Sequence, residues 1–187
     1  DNTNAEDEAG EDLSNSETSG VVNGNEIAFY TQGIIVTPGD MTADASEPDN
    51  SGDQVSEFTI EFEVTALGMD IYLDKTVTSS SSTSSTAAGD NRVVILTSAG
   101  TPLSQTGASL TSSDDNAEEQ TNSFLINEGD TATFTITVNA AGTDAQQRAI
   151  LYGLEWGNGD TATQDSVYNL NMGVDGEYKT EYIFVQT

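Results

Sequence analysis

Carboxylates are the residues of this chain whose type and spacing could do chemistry. They cluster at Asp70 with Asp74 and at Asp114-Asp115 with Glu118-Glu119. Looser pairs are Asp40/Asp44, Asp49/Asp53 and Asp160/Asp165. A hard cation such as calcium needs several carboxylate and carbonyl oxygens held together. Asp114, Asp115, Glu118, Glu119, Asp70 and Asp74 are therefore the candidate calcium ligands. The D-x-[DN]-x-[DN]-G spacing of an EF-hand loop is absent. A solvated acidic surface accounts for the same clusters, since 32 acidic residues among 187 fall into groups by chance. Asp70 and Asp74 flank Tyr72, and alternation places all three on the exposed face of a strand.

Other chemistries are narrower. A glycosidase needs two carboxyls about 5–10 Å apart in a cleft, and nothing in the sequence marks a cleft. Lys75 and Lys179 have no S-x-x-K partner serine. The chain has no His and no Cys, which removes the common zinc, haem and iron–sulfur sites and Ser-His-Asp or Cys-His catalysis. The chain reads as a non-enzyme. Tyr72, Tyr152, Trp156, Tyr168 and Tyr178 would contact a glycan if exposed, although strand aromatics more often fill a core.

Charge sets the habitat. Four Lys and Arg against 32 Asp and Glu leave a net charge of −28. Binding a nucleic acid or an anionic membrane needs basic residues to displace counterions, so both partners are excluded. Self-repulsion opposes a compact state at low salt and is screened within roughly 8 Å at about 0.15 M. A saline or divalent-rich medium is expected. No apolar run approaches the ~18 residues of a membrane span, so membrane insertion is not expected. The first residue is Asp rather than Met, which reads as a mature chain of a secreted, extracellular or cell-surface protein.

Strands must position whatever these residues do. Phe58, Ile60, Phe62 and Val64 alternate with Thr59, Glu61, Glu63 and Thr65, the mark of a half-buried strand. Phe134, Ile136 and Val138 alternate with threonines in the same way. Met69–Leu73, Arg92–Thr97, Arg148–Trp156, Val167–Met172 and Tyr178–Val185 read as further strands. Asn127–Asp130, Gly157–Asp160 and Val174–Glu177 are the turn signals. Residues 40–54 and 98–122 read as polar loops. Thr78–Thr86 is entirely Ser and Thr, an exposed loop open to O-glycosylation.

Ile126-Asn-Glu-Gly-Asp-Thr-Ala-Thr-Phe-Thr-Ile-Thr-Val138 resembles the EGxxxxFTxTV strand of immunoglobulin-like modules in secreted prokaryotic surface proteins. Phe58–Leu73 together with Ala149–Trp156 looks similar to β-sandwich modules of bacterial surface proteins. The resemblance spans roughly residues 55–160 and implies an extracellular β-sandwich with no catalytic residues to carry over. The expected fold is all-β, an immunoglobulin-like or jelly-roll-type sandwich of about eight strands with an extended N-terminal arm. Residues 1–20 would be an acidic arm, 21–54 an N-terminal strand and loop, and 55–187 the sandwich.

Two functions fit this expectation. The first is a structural subunit of an extracellular filament or surface assembly, a homopolymer joined by strand exchange. The segment Val21–Val36 would donate the strand, with Val21, Val22, Ile27, Phe29, Ile34, Ile35 and Val36 as its assembly residues. The second is a calcium-dependent adhesin or carbohydrate-binding sandwich module. Calcium and glycans are the ligands that second reading implies.

Overall fold

The computed structural model describes residues 32–47, 49–50, 52–79, 91–162, 166–168 and 177–187, with backbone only for 79 and 166–168. These residues are all-β and form two sheets packed as a sandwich, without a helix. Among the described residues thirteen strands appear rather than about eight, because several are pieces of two to four residues.

The first sheet has four strands: β1 (Gly33–Ala45), β2 (Val55–Leu67), β10 (Thr131–Ala141) and β7 (Gln105–Thr111), in that spatial order and antiparallel throughout. The central strands β2 and β10 carry the alternation visible in the sequence. Phe58, Ile60, Phe62, Val64, Phe134, Ile136 and Val138 are all fully buried on one face, as their spacing predicts. Their register sets Phe62 opposite Phe134 and Ile60 opposite Ile136.

The second sheet runs β4 (Val77–Ser79), β5 (Asn91–Thr97), β11 (Ala145–Gly157), β3 (Ile71–Asp74), β9 (Ser123–Ile126), β8 (Glu118–Glu119). The two-residue β6 (Pro102–Leu103) pairs with β5, while β12 (Ser166–Tyr168) and β13 (Ile183–Val185) pair with β11. Strand β5 is buried at every position. Val93 and Ile95 join the main core, whereas Val94 and Leu96 form a second cluster with Ile150.

The two sheets are tied by aromatic and polar contacts. The Phe134 ring lies 5.9 Å from Phe62, nearly parallel, and 5.5 Å from Phe124 of β9, edge-on. Buried Ser56 of β2 offers its hydroxyl to the Ala140 carbonyl (3.0 Å) and to Gln147 Oε1 of β11 (2.9 Å). Gln147 Nε2 donates in turn to the Ala141 carbonyl and to Thr143 Oγ1, both at 3.0 Å. This buried amide is thus engaged at both ends, the condition for burying it at low cost.

Asn91 occupies the junction where β3 gives way to β5. Its Oδ1 accepts from the Glu155 N–H (2.9 Å) and its Nδ2 donates to the Asp74 carbonyl. At the opposite end Gly142 donates its N–H to the Gln54 carbonyl, and Gln54 donates to Gln186. A Cβ on Gly142 would sit 2.0 Å from the Gln186 carbonyl oxygen, so three backbone segments meet there only because it is glycine.

Two expectations are revised. The described sandwich includes Gly33–Ala45, ahead of the expected start at residue 55, since β1 pairs with β2 from Gly33↔Leu67 to Ala45↔Ser56. Met41 and Ala43 continue its inward face, so the strand reaches into residues read as loop. Residues 105–111, inside the expected polar loop 98–122, form β7. An edge strand with one buried large side chain, Leu110, shows too little alternation to stand out in sequence.

Candidate functional site

Three of the six clustered candidates, Asp70, Asp74 and Asp114, bind backbone N–H groups at turns. Asp70 Oδ1 accepts from the Glu128 N–H at 2.9 Å. Asp74 Oδ1 accepts from the Thr76 N–H at 2.6 Å. Asp74 is 1% exposed, so it does not lie on the outward strand face expected from alternation. The strand ends there, and the chain turns over its carboxylate. Asp114 accepts from the N–H groups of Asn116 and Thr133, each at 3.0 Å. The Asn116 N–H, then that of Thr133, hold its carboxyl below the ordinary range. Asp115 and Glu118 are exposed. Glu119 pairs with Lys75 at 2.8 Å. Lys75 also donates to the Gln120 carbonyl and sits 5.3 Å from the centre of the Phe124 ring. Among the described residues no three acidic side chains converge on a metal-sized site.

Asp160, which the sequence offers only as half of a loose acidic pair, and Asp144, which sequence reasoning passed over, do the same over longer distances. Asp160 accepts from the N–H of Asn122 (2.8 Å), the N–H of Thr121 (3.2 Å) and Ser123 Oγ (2.8 Å). The Asn122 N–H is the main reason its carboxyl titrates low. Asp144, at φ 50°, accepts from the Thr187 N–H (2.9 Å) and hydroxyl (2.8 Å), and its carboxyl is lowered by the first of these. With 32 acids and four cations, few carboxylates can find an ion-pair partner. Backbone N–H groups, which form charge-assisted bonds with carboxylates, take that place. The i→i+2 bonds of Asp74 and Asp114 are Asx turns and are readable locally. Asp160 and Asp144 act across about 40 residues and have no local signature.

Among the described side chains the candidate aromatics do not assemble into one exposed platform. Tyr178 is 6% exposed and donates its hydroxyl to the Val36 carbonyl at 3.0 Å. Trp156 packs against the main core, while Tyr152 packs against the second cluster. The Arg148 guanidinium stacks 4.5 Å from the Tyr182 ring centre. Only the backbone of Tyr168 is described.

The assembly candidates divide. Val21, Val22, Ile27 and Phe29 lie outside the described residues. Ile34, Ile35 and Val36 lie in β1, opposite Ala66, Thr65 and Val64 of the same chain. Ile34 is buried, Val36 packs on the core and Ile35 is 49% exposed on the outer face.

The first sheet ends on β1 and β7, and among the described residues each pairs on one side only. The two edges differ. β1 carries Pro38, which has no N–H, and a register break between Pro38 and Met41. Asp40 and Asp44 add charge. Proline, a bulge and charge are the devices that protect an edge from unwanted pairing. β7 lacks two of the three: Gln105-Thr-Gly-Ala-Ser-Leu-Thr111 contains no proline and no charge, and its pairing has one register break, at the Gln105 end beside Asn139/Ala140. Ala108 pairs with Val138, whose side chain is buried, so Ala108 is on the core-facing side, yet it is exposed. Among the described residues the neighbour on this flank is β4, whose Val77 carbonyl accepts from Gln105 Nε2 at 3.3 Å.

No protein-family model matches the chain, and neither a curated protein nor a solved structure matches it significantly.

Proposed function

We propose that this chain is a structural subunit of an extracellular filament or surface assembly, with subunits joined by strand exchange. The observation that supports this reading is the four-stranded sheet whose outer strands pair on one side only among the described residues. An unpaired strand edge is a row of N–H and C=O groups that a strand from another molecule completes. A head-to-tail contact of this kind is heterologous and propagates as a fibre unless it closes into a ring. The net charge of −28 opposes such contacts at low salt, so assembly belongs to a saline medium.

The test is sedimentation and negative-stain microscopy of the full chain across protein concentration and NaCl. Polymers that grow with both variables are expected. A 19.6 kDa monomer at every concentration and salt would end the filament reading. It would favour the calcium-dependent or carbohydrate-binding adhesin.

A further inference from the structure

We infer that the outward face of the second sheet docks on the outward face of the first sheet of a second copy. The inference rests on the filament reading, adds which faces meet, and holds whichever strand is exchanged. Val94, Leu96 and Ile150 form a cluster separate from the main core, so their side of β5 and β11 is the outward one. Directly paired residues share a face. Gln146 pairs with Phe184, Arg148 with Leu96, and Ile150 with both Val94 and Lys179. Phe184, Arg148 and Lys179 therefore follow one another down this face in successive rows, with Tyr182 stacked on Arg148. The cluster beside them is buried, but Phe184 is exposed, and Arg148, Lys179 and Tyr182 are half-buried.

Arg148 and Lys179 lack what this chain has in excess. Of its four cations, Lys75 is paired with Glu119 and Arg92 is buried. Among the described residues no carboxylate lies within ion-pair distance of Arg148 or Lys179, and Arg148 Nε is buried without a hydrogen-bond partner. A guanidinium held against a ring is preorganised to take a carboxylate. The outward face of the first sheet supplies carboxylates in a matching order. Ile35 lies opposite Thr65, Glu63 lies opposite Thr37 in the next row, and Glu61 follows on β2. A Cβ on Gly39 would lie 2.9 Å from Glu61 Oε1, so the Glu61 carboxylate rests over the β1 backbone where glycine leaves room. Ile35 and Glu63 are exposed, and Glu61 is half-buried. Both faces thus read apolar, charged, charged, in rows about 6.8 Å apart. Stacked sheets lie about 10 Å apart, a gap that an Arg and a Glu side chain span together. Phe184 then meets Ile35, Arg148 meets Glu63 and Lys179 meets Glu61. The two faces differ, so the contact is heterologous and repeats along a fibre.

Charge exchange tests the contact in the full chain. Glu63→Arg removes one acid and adds one cation, which changes the net charge from −28 to −26. General repulsion falls, so without the contact this variant should assemble more readily. With the contact, two guanidinium groups face each other, and the concentration needed for assembly, read by sedimentation at fixed NaCl, should rise at least about tenfold. Glu47→Arg, at an exposed position in the loop between β1 and β2, makes the same change in net charge and should lower that concentration. Arg148→Glu should weaken assembly as Glu63→Arg does. The two combined restore both the pairing and the net charge of −28, and should return assembly to within about threefold of the native chain. Lys179→Glu with Glu61→Lys is a second exchange, one that leaves the Arg148–Tyr182 stack intact. Melting temperatures of all variants report whether the fold is kept. Glu63→Arg assembling as readily as Glu47→Arg, or no recovery in either combined variant, would overturn this docking while leaving the filament reading in place. Failure of the unaltered chain to assemble would remove both.

Discussion

Replacing Phe134 by alanine tests whether the two sheets share one core. Phe134 is fully buried, with rings from its own sheet and from the opposite sheet at 5.9 and 5.5 Å. Transfer of a buried Phe side chain from water is worth about 1.5–3 kcal/mol. Each aromatic pair adds about 0.5–1.5 kcal/mol beyond area. The sum of roughly 2.5–6 kcal/mol brackets the 3–5 kcal/mol typical of Phe→Ala in cores. With a urea m-value of about 2 kcal/mol/M, a loss near 4 kcal/mol lowers the unfolding midpoint by about 2 M. Phe184, 57% exposed on β13, is the internal comparison, and Phe184→Ala should cost no more than about 0.5 kcal/mol. Urea titrations of both variants at constant high salt, followed by tyrosine and tryptophan fluorescence, give the two numbers. A cost below about 1 kcal/mol for Phe134→Ala, or one equal to that of Phe184→Ala, would refute the shared core.

Asn91→Leu should cost about 1–3 kcal/mol in the same assay, because it leaves the Glu155 N–H without the Asn91 acceptor; a neutral result would mean that the junction is not held by this amide. Gly142→Ala should destabilise by about 1–3 kcal/mol, since its methyl group meets the Gln186 backbone, and limited proteolysis should show the C-terminal residues released first. The carboxyls of Asp114, Asp144 and Asp160 titrate below their unfolded range, so their stabilising bonds are complete above about pH 4 and are lost as pH falls through the lowered values. The stability difference between the native chain and Asp160→Ala should accordingly be largest near neutrality and shrink on acidification; a difference constant with pH would exclude the charged form as the acceptor. Melting temperature should rise with NaCl as repulsion is screened, and CaCl₂ at equal ionic strength should add nothing further; an extra rise would indicate converging oxygens and advance the adhesin reading.

The sequence by itself determined the class of the fold and its central strands. Phe58–Val64 and Phe134–Val138 could be placed because period-two alternation is written in adjacent residues, and burial follows it directly. The turn Asn127–Asp130 was equally legible, and Gly129 takes the positive φ of 85° that the turn requires. The tertiary structure decided what depends on partners distant in sequence. That β1 pairs with its own β2, that Asp74 is buried under a turn, and that Asp160 fastens Thr121–Ser123 are contacts with no local signature. β7 escaped notice because an edge strand buries little and so needs little alternation. Its lack of charge was visible in the sequence all along. Only the sheet order, which among the described residues puts that uncharged strand at one end of the first sheet and the proline-bearing strand at the other, gives the pattern a physical meaning.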